Sequence, residues 1–380
     1  MVPLFTISTI VKLFTSKKNR PVISDIITTN LNYKTSIIDK KLTELAIKTS
    51  KNQEVRRVIL NSNYKNLEEF KLNLYSIAGG KDIWEEIQSF LYQYGYRTDK
   101  MYQPFISKSW LDDPIYFMDV FKAVLNDPQL FERKKKEHER IQKHQRWLTE
   151  FEGKLKSPIS GQFKSSYEKL REIYIYREET VFLIETLFHY GRKLIAELGN
   201  RMEKKGVLND SSEIIYLFRE ELPAFSQEES DVDRIKTLID KRKENLKRNQ
   251  LIWKQSIIQL SKASSKDDNL ITGISGSNGI AEGPVRIITR VEDFKKLKQG
   301  EILVCQYTDP AWTPLFGIAG AIVADTGGPL SHAAIVAREY EIPAVLGTKI
   351  GTSSLKDGEH ILVDGTAGKV MKKSFKQKLS

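Results

Sequence analysis

The residue with the clearest chemical potential is His332, set in the string Ala324-Asp-Thr-Gly-Gly-Pro-Leu-Ser-His-Ala-Ala-Ile-Val-Ala-Arg-Glu339. An apolar run at 320–324 leads into paired glycines and then into helix-forming residues. Ser331 suits the N-cap, which places His332 at the first helical position. A helix start leaves backbone N–H groups unpaired and carries partial positive charge, so it favours a nearby anion. Gly327 and Gly328 permit positive φ and close approach of a ligand to the main chain. Thr326, Gly327, Gly328 and Ser331 are candidate phosphate-loop residues beside an imidazole suited to carry a phosphoryl or other anionic adduct. Taken on spacing alone, the ordinary alternative is a surface histidine at a helix start. Arg338 follows six residues later, about 240° around a helix, which points to a structural role.

Elsewhere the chemistry is thinner. His138 and His144 fall in a Lys/Glu-rich stretch and suit solvated positions, His189 suits packing, and His360 begins a strand. The histidines and carboxylates show no metal-ligand spacing, so no protein-bound metal is expected. The one cysteine, Cys305, alternates within an apolar run, reads as core and excludes an internal disulfide. Gly273-Ile-Ser-Gly276-Ser-Asn-Gly279 precedes a strand rather than a helix, so it reads as a turn and not as a nucleotide cradle.

These residues are carried by 380 in all, enough for two or three domains. Residues 1–260 read as helical. Leu67, Phe70, Leu74 and Ile77 mark a one-faced helix over 66–77. A polar helix is expected over 120–146, a very long one or two in series over 167–205 with Gly206 as the stop, and another over 231–260. Residues 261–270 lack large apolar side chains until Leu270 and read as a linker. Beyond it, short Val/Ile-rich runs at 284–289, 301–307, 320–324, 343–346, 360–363 and 368–371 predict strands, with one helix at 331–340. The expected architecture is a multidomain α and α/β chain: an all-helical domain at 1–260, a linker, a compact β/β/α domain at 271–373 and a basic tail at 374–380.

Charge divides along the same line. The chain has 60 Lys/Arg against 49 Asp/Glu, yet residues 271–370 carry nine against eleven. The basic clusters at 133–146 and 241–248 are interleaved with glutamates and lack a nucleic-acid motif, so solvated helix faces are expected there. No apolar run reaches the roughly 18 residues of a membrane span, and a cytoplasmic protein is expected. The apolar stretch 1–14 suits either a first helix or a docking segment for a separate subunit.

Residues 271–371 resemble the swivelling phosphohistidine domain of the phosphoenolpyruvate-utilising enzymes. The likeness rests on Gly283-Pro-Val-Arg286, Thr308-Asp-Pro-Ala-Trp-Thr-Pro-Leu-Phe316, Gly327-Gly-x-x-Ser-His-Ala-Ala-Ile-Val-Ala-Arg-Glu339, Ile342-Pro-Ala-Val-Leu-Gly347, Val363-Asp-Gly365 and Gly368-Lys-Val370. It implies that His332 is the phosphorylated histidine. The Leu330-Ser331-His332 arrangement is nearest the rifampin phosphotransferase branch. Phe90-Leu-Tyr-Gln-Tyr-Gly-Tyr-Arg97 with Ser109-Trp-Leu-Asp-Asp-Pro114, and residues 191–210, resemble that branch's substrate-binding helical domain. The resemblance makes Tyr96, Arg97 and Trp110 candidate acceptor-site residues. Tyr96 stands where the branch often has histidine, which removes a group titrating near neutrality.

The resemblance further implies a phosphotransferase with a phosphohistidine intermediate. No segment here reads as an ATP-grasp domain, so the chain itself is expected to bind no cofactor. ATP and Mg²⁺ are expected on a separate ATP-grasp partner, and a small-molecule acceptor at the helical domain. The alternative is a non-catalytic interaction or scaffold protein that keeps the fold.

Overall fold

The computed structural model describes residues 2–16, 23–62, 66–98, 105, 107–128, 130–226, 229–264, 269–309, 312–329 and 331–372. Ten α-helices are described before residue 265: α1 (Val2–Phe14), α2 (Ile23–Thr28), α3 (Lys34–Lys51), α4 (Gln53–Asn61), α5 (Leu67–Tyr75), α6 (Gly80–Tyr94), α7 (Pro114–Leu125), α8 (Arg133–Lys154), α9 (Ile159–Lys204) and α10 (Glu229–Ser264). Local chemistry sets their ends. The Asn66 side chain accepts from the N–H groups of Glu68 and Glu69 at the start of α5. Asp113 caps α7 ahead of Pro114, whose missing N–H costs nothing at a first turn.

Two expectations change. The polar helix over 120–146 is two helices, α7 ending at Leu125 and α8 starting at Arg133. Pro128 lies in the gap; it lacks a backbone donor and disfavours helical geometry at Asp127. Residues 261–264, expected as linker, continue α10, because helix periodicity is not interrupted until past Ser264. Residues 265–268 of that linker, and the basic tail, lie outside the described residues. The 167–205 stretch is one helix, α9, of 46 residues and about 69 Å; Gly206, at φ 73°, follows its end.

The second part is a mixed eight-stranded sheet of β1 (Leu270–Thr272), β2 (Ile274–Ser277), β3 (Ile280–Ile287), β4 (Ile302–Cys305), β5 (Ala321–Ala324), β6 (Ala344–Leu346), β7 (His360–Asp364) and β8 (Lys369–Lys372), in the order β1-β8-β7-β3-β4-β5-β6-β2. The four central strands β3, β4, β5 and β6 are parallel, and the flanking pairs are antiparallel. Buried on both faces, β4 and β5 read Ile-Leu-Val-Cys and Ala-Ile-Val-Ala without polar alternation. Gly273 to Gly279 spans β2 and a turn before β3, so no helix follows it. Short helices α11 (Thr313–Phe316), α12 (His332–Glu339) and α13 (Gly351–Ser354) cover the sheet.

One apolar core joins the two parts. Phe117 and Phe121 of α7, Trp84 and Ile87 of α6, and Leu315, Phe316, Val336 and Ala337 of α11 and α12 belong to it, all at most 3% exposed. Ile335 of α12 packs with Ile27, Leu31, Tyr33 and Tyr174 of the helical part. The apolar start of the chain is used internally: Ile7 and Val11 of α1 are buried with Phe151 and Phe163. That packing makes Val2–Phe14 a first helix of the helical part, with Phe5 and Leu13 left exposed on its outer side. Among the described residues no helix is long and apolar enough to cross a membrane.

Candidate active site

His332 begins α12 where β5 has delivered the chain through the glycine turn, as its sequence predicts. Ser331 holds the N-cap position with extended backbone, but its hydroxyl makes no capping bond; its oxygen is buried with no partner. Gly327 adopts φ 115°, and a Cβ there would stand 3.1 Å from the Ser331 oxygen. Gly328 has ordinary φ, with open space where a side chain would go, so only the first of the pair needs to be glycine for conformation. The Thr326 hydroxyl donates to the Gln306 carbonyl at 3.1 Å and ties the turn to the end of β4. Arg338 donates to the Pro329 carbonyl at 2.8 Å, bracing the loop from behind, which is a structural use.

The imidazole is half-buried and held from both sides. Thr308 Oγ1 lies 3.1 Å from Nδ1, and Thr313 Oγ1 lies 3.2 Å from Nε2. Phe316 meets the ring edge-on, with centroids 6.0 Å apart. A neutral imidazole donates through one nitrogen and accepts through the other, while each hydroxyl can do either, so both tautomers can be accommodated. Burial, then the positive charges of Arg97 and Arg177, pull the His332 pKa down to about 3. The ring is therefore neutral at physiological pH and keeps one nitrogen lone pair for bonding. Sequence reasoning missed Thr308 and Thr313, although both stand in the Thr308–Phe316 string; nothing local tells that this loop folds back onto α12.

Arg97, whose charge acts on His332 from the helical part, belongs to a polar cluster on α9 and its neighbours. Arg97, 1% exposed, donates to Glu185 Oε2 at 2.9 Å and to Thr35 Oγ1 at 2.7 Å. Thr35 in turn donates to Glu178 at 2.8 Å. Burial pushes the Glu185 carboxyl upward against the pull of Arg97, and its Oε1 is buried without a partner. One turn further, His189 Nδ1 lies 3.0 Å from Asp112 Oδ1 and 3.1 Å from Ser109 Oγ. Arg192 donates to Asp112 at 2.9 Å. Although burial alone would raise the Asp112 carboxyl, hydrogen bonds donated by the Ser109 N–H and hydroxyl and by Arg192 hold it below its ordinary range.

The candidate acceptor residues separate. Arg97 is close enough for its charge to act on His332. Tyr96 is partly exposed beside it, ring against His189 and hydroxyl 3.4 Å from that of Tyr190. Trp110 does not line an opening: it is 2% exposed and packs on Phe90 and Phe117. Its position two residues before an Asp-Asp-Pro cap turns the indole into the core of α6 and α7. Cys305 is fully buried. Among the described residues no three His, Cys, Asp or Glu side chains are placed to hold a metal ion.

Comparison with known proteins fits this arrangement. Residues 297–368 match the family model described as the PEP-utilising enzyme mobile domain, and residues 1–178 match that of the rifampicin phosphotransferase fourth domain. A protein named as an uncharacterized phosphotransferase, YvkC, of Bacillus subtilis is 29% identical over 87% of this chain and 41% of its own length. A rifampicin phosphotransferase of Bacillus cereus is 31% identical over 79% of this chain and 36% of its own. A phosphoenolpyruvate synthase of Aeropyrum pernix is 49% identical over 27% of this chain and 12% of its own. The chain thus spans about two fifths or less of the length of these relatives.

Proposed function

The chain belongs to the phosphoenolpyruvate-utilising enzyme family, and we propose that within it His332 is a transient phosphoryl carrier serving an acceptor site on the helical part. In the loading half-reaction, the lone pair of one ring nitrogen attacks a phosphoryl phosphorus of ATP. The bond from phosphorus to the nucleotide oxygen breaks as the nitrogen–phosphorus bond forms. In the second half-reaction, a hydroxyl oxygen of a small-molecule acceptor attacks that phosphorus, the nitrogen leaves with its electron pair, and the hydroxyl proton passes to a base or to water. ATP and Mg²⁺ belong to a separate ATP-grasp unit, and the β-rich part moves between the two stations.

A single observation carries this reading. The His332 imidazole is held between the hydroxyls of Thr308 and Thr313, within reach of the Arg97 and Arg177 charges of the other part of the chain. A neutral ring is the nucleophilic form, and two guanidinium charges favour the anion it becomes once phosphorylated. Helix-end electrostatics at α12 contribute roughly 0.3–2 kcal/mol, whereas positioning of reactants supplies about 7–11 kcal/mol, so docking outweighs the dipole.

The test is intact-mass analysis after treatment with phosphoramidate, a small phosphoryl donor, and separately with ATP, Mg²⁺ and an ATP-grasp partner. One phosphoryl group should be gained, lost in His332→Ala and retained in His189→Ala. The loaded protein should then pass the group to an acceptor, rifampicin being the first to try because the relatives are named for it. No adduct under either donor would leave the scaffold reading in its place.

A further inference from the structure

The side of α9 turned away from Glu185 and His189 carries a stripe of which only Tyr190, beside Tyr96, has figured above. Ile173, Tyr176, Leu183, Leu187, Tyr190 and Leu194 are each between 49% and 74% exposed. With Thr180 they recur at alternating three- and four-residue steps, three of each from Ile173 to Leu194, the spacing of a coiled-coil seam. Successive steps of 100° place them opposite the buried face formed by Tyr174, Phe182, Glu185 and His189. Ile184 and Leu198, on one flank of the seam, are also exposed. Together these side chains offer roughly 800 Å² per chain, about one partner's share of a standard stable interface. Scattered exposed leucines need no explanation, but a periodic row of this size along one helix does.

We propose that this stripe pairs with the same stripe of a second copy of the chain, antiparallel, about a two-fold axis near Ile184. The register follows from charge. In that arrangement Leu187 meets the partner's Leu183, Leu194 the partner's Tyr176 and Thr180 the partner's Tyr190. Glu179 then faces the partner's Lys193, twice by symmetry, and Ile184 faces its own copy. Within its own chain Glu179 has Lys34 at 3.8 Å on the body side, a long contact that leaves the carboxylate able to turn outward. A parallel pairing would set Glu179 against Ile184 and Lys193 against Leu198, charge against apolar side chain, which costs desolvation without return. An isologous two-fold pair closes on itself and leaves both copies of His332 on the outer sides, clear of the seam.

Sedimentation equilibrium of the full chain should give twice the monomer mass, falling to the monomer mass in Leu187→Asp/Leu194→Asp with unchanged helical circular dichroism. Register is read by oxidative cross-linking, Cys305 being buried. Ile184→Cys should cross-link to itself, and Leu194→Cys should not, while a mixture of Leu194→Cys and Tyr176→Cys should form the mixed dimer. A monomeric wild-type chain at about 100 μM, well above the Kd expected of a stable interface of this size, overturns the proposal. So does self-cross-linking of Leu194→Cys, which would mean a parallel pair. So does a stripe that becomes protected from hydrogen exchange only when an ATP-grasp protein or lipid vesicles are added, which would assign it to that partner.

Discussion

Removing the charge of Arg97 tests how the helical part supports His332. Arg97 and Glu185 are each 1% exposed and joined at 2.9 Å, with Thr35 completing the chain to Glu178. Arg97→Met leaves the Glu185 carboxylate buried beside an apolar side chain, and breaking such a pair from one side costs about 3–5 kcal/mol. Because Glu185 is already pushed upward by burial, it relieves part of that cost by taking a proton, so about 3 kcal/mol is expected near neutral pH. Replacing both partners, Arg97→Met with Glu185→Leu, removes the stranded charge and should recover most of the loss, leaving the double variant within about 1 kcal/mol of wild type. Urea unfolding at constant m-value gives the three differences, and a double-mutant cycle gives the coupling. The same variant removes a positive charge acting on His332, so the imidazole pKa, followed by NMR, should rise from its low value without reaching that of an exposed histidine, since burial is the larger cause. Additive losses in the cycle, or an unchanged His332 titration, would refute the reasoning.

Other consequences concern the loop, the ring and the boundary. Thr313→Val strands Nε2 of His332 and should slow phosphorylation by phosphoramidate roughly tenfold, the worth of about one hydrogen bond, with little change in unfolding midpoint. Gly327→Ala forces a side chain to φ 115° and should cost about 1–3 kcal/mol, whereas Gly328→Ala should stay within about 0.5 kcal/mol by the same unfolding measurement. Glu339 sits at the boundary with Tyr33 at 3.2 Å and Arg140 at 3.7 Å, and burial lifts its pKa to about 7. A carboxyl raised in this way supports the packed arrangement below its ordinary pKa and loses that support as pH rises to 7. His332, lowered to about 3, contributes in the opposite sense: its support is complete above its ordinary pKa and lost as pH falls. The contributions of these two groups oppose each other between pH 4.5 and 6.5. Glu339→Gln should instead gain about 3 kcal/mol over wild type between pH 4.5 and 7, read from urea midpoints, and a constant difference across that range would contradict the assignment.

Much of the architecture was written locally. Strand runs such as 320–324, the helix at 331–340 and the stop at Gly206 follow from side-chain period, apolar runs and glycine, all of which act over a few residues. The position of His332 at the head of α12 is of the same kind, because a cap and a turn are short-range objects. Pro128 was equally visible, but the charged periodicity around it disguised the break between α7 and α8; β1 and β2 were hidden because strands of three or four residues, two of them glycine-flanked, carry almost no period. Trp110 had the residue type of a ligand-pocket aromatic, and only the packing of α6 on α7 decides that it faces inward.

What the amino-acid order determined was the place of His332 at a helix start behind a glycine turn and the scaffold type, since these depend on neighbours along the chain. What the tertiary structure decided was everything that depends on residues distant in sequence: the hydroxyls of Thr308 and Thr313 on the two ring nitrogens, the charges of Arg97 and Arg177 on the imidazole, and the Arg97–Glu185 pair behind them. Burial and charge at a point are sums over all surrounding atoms, and those atoms are assembled only when the helical part and the sheet meet.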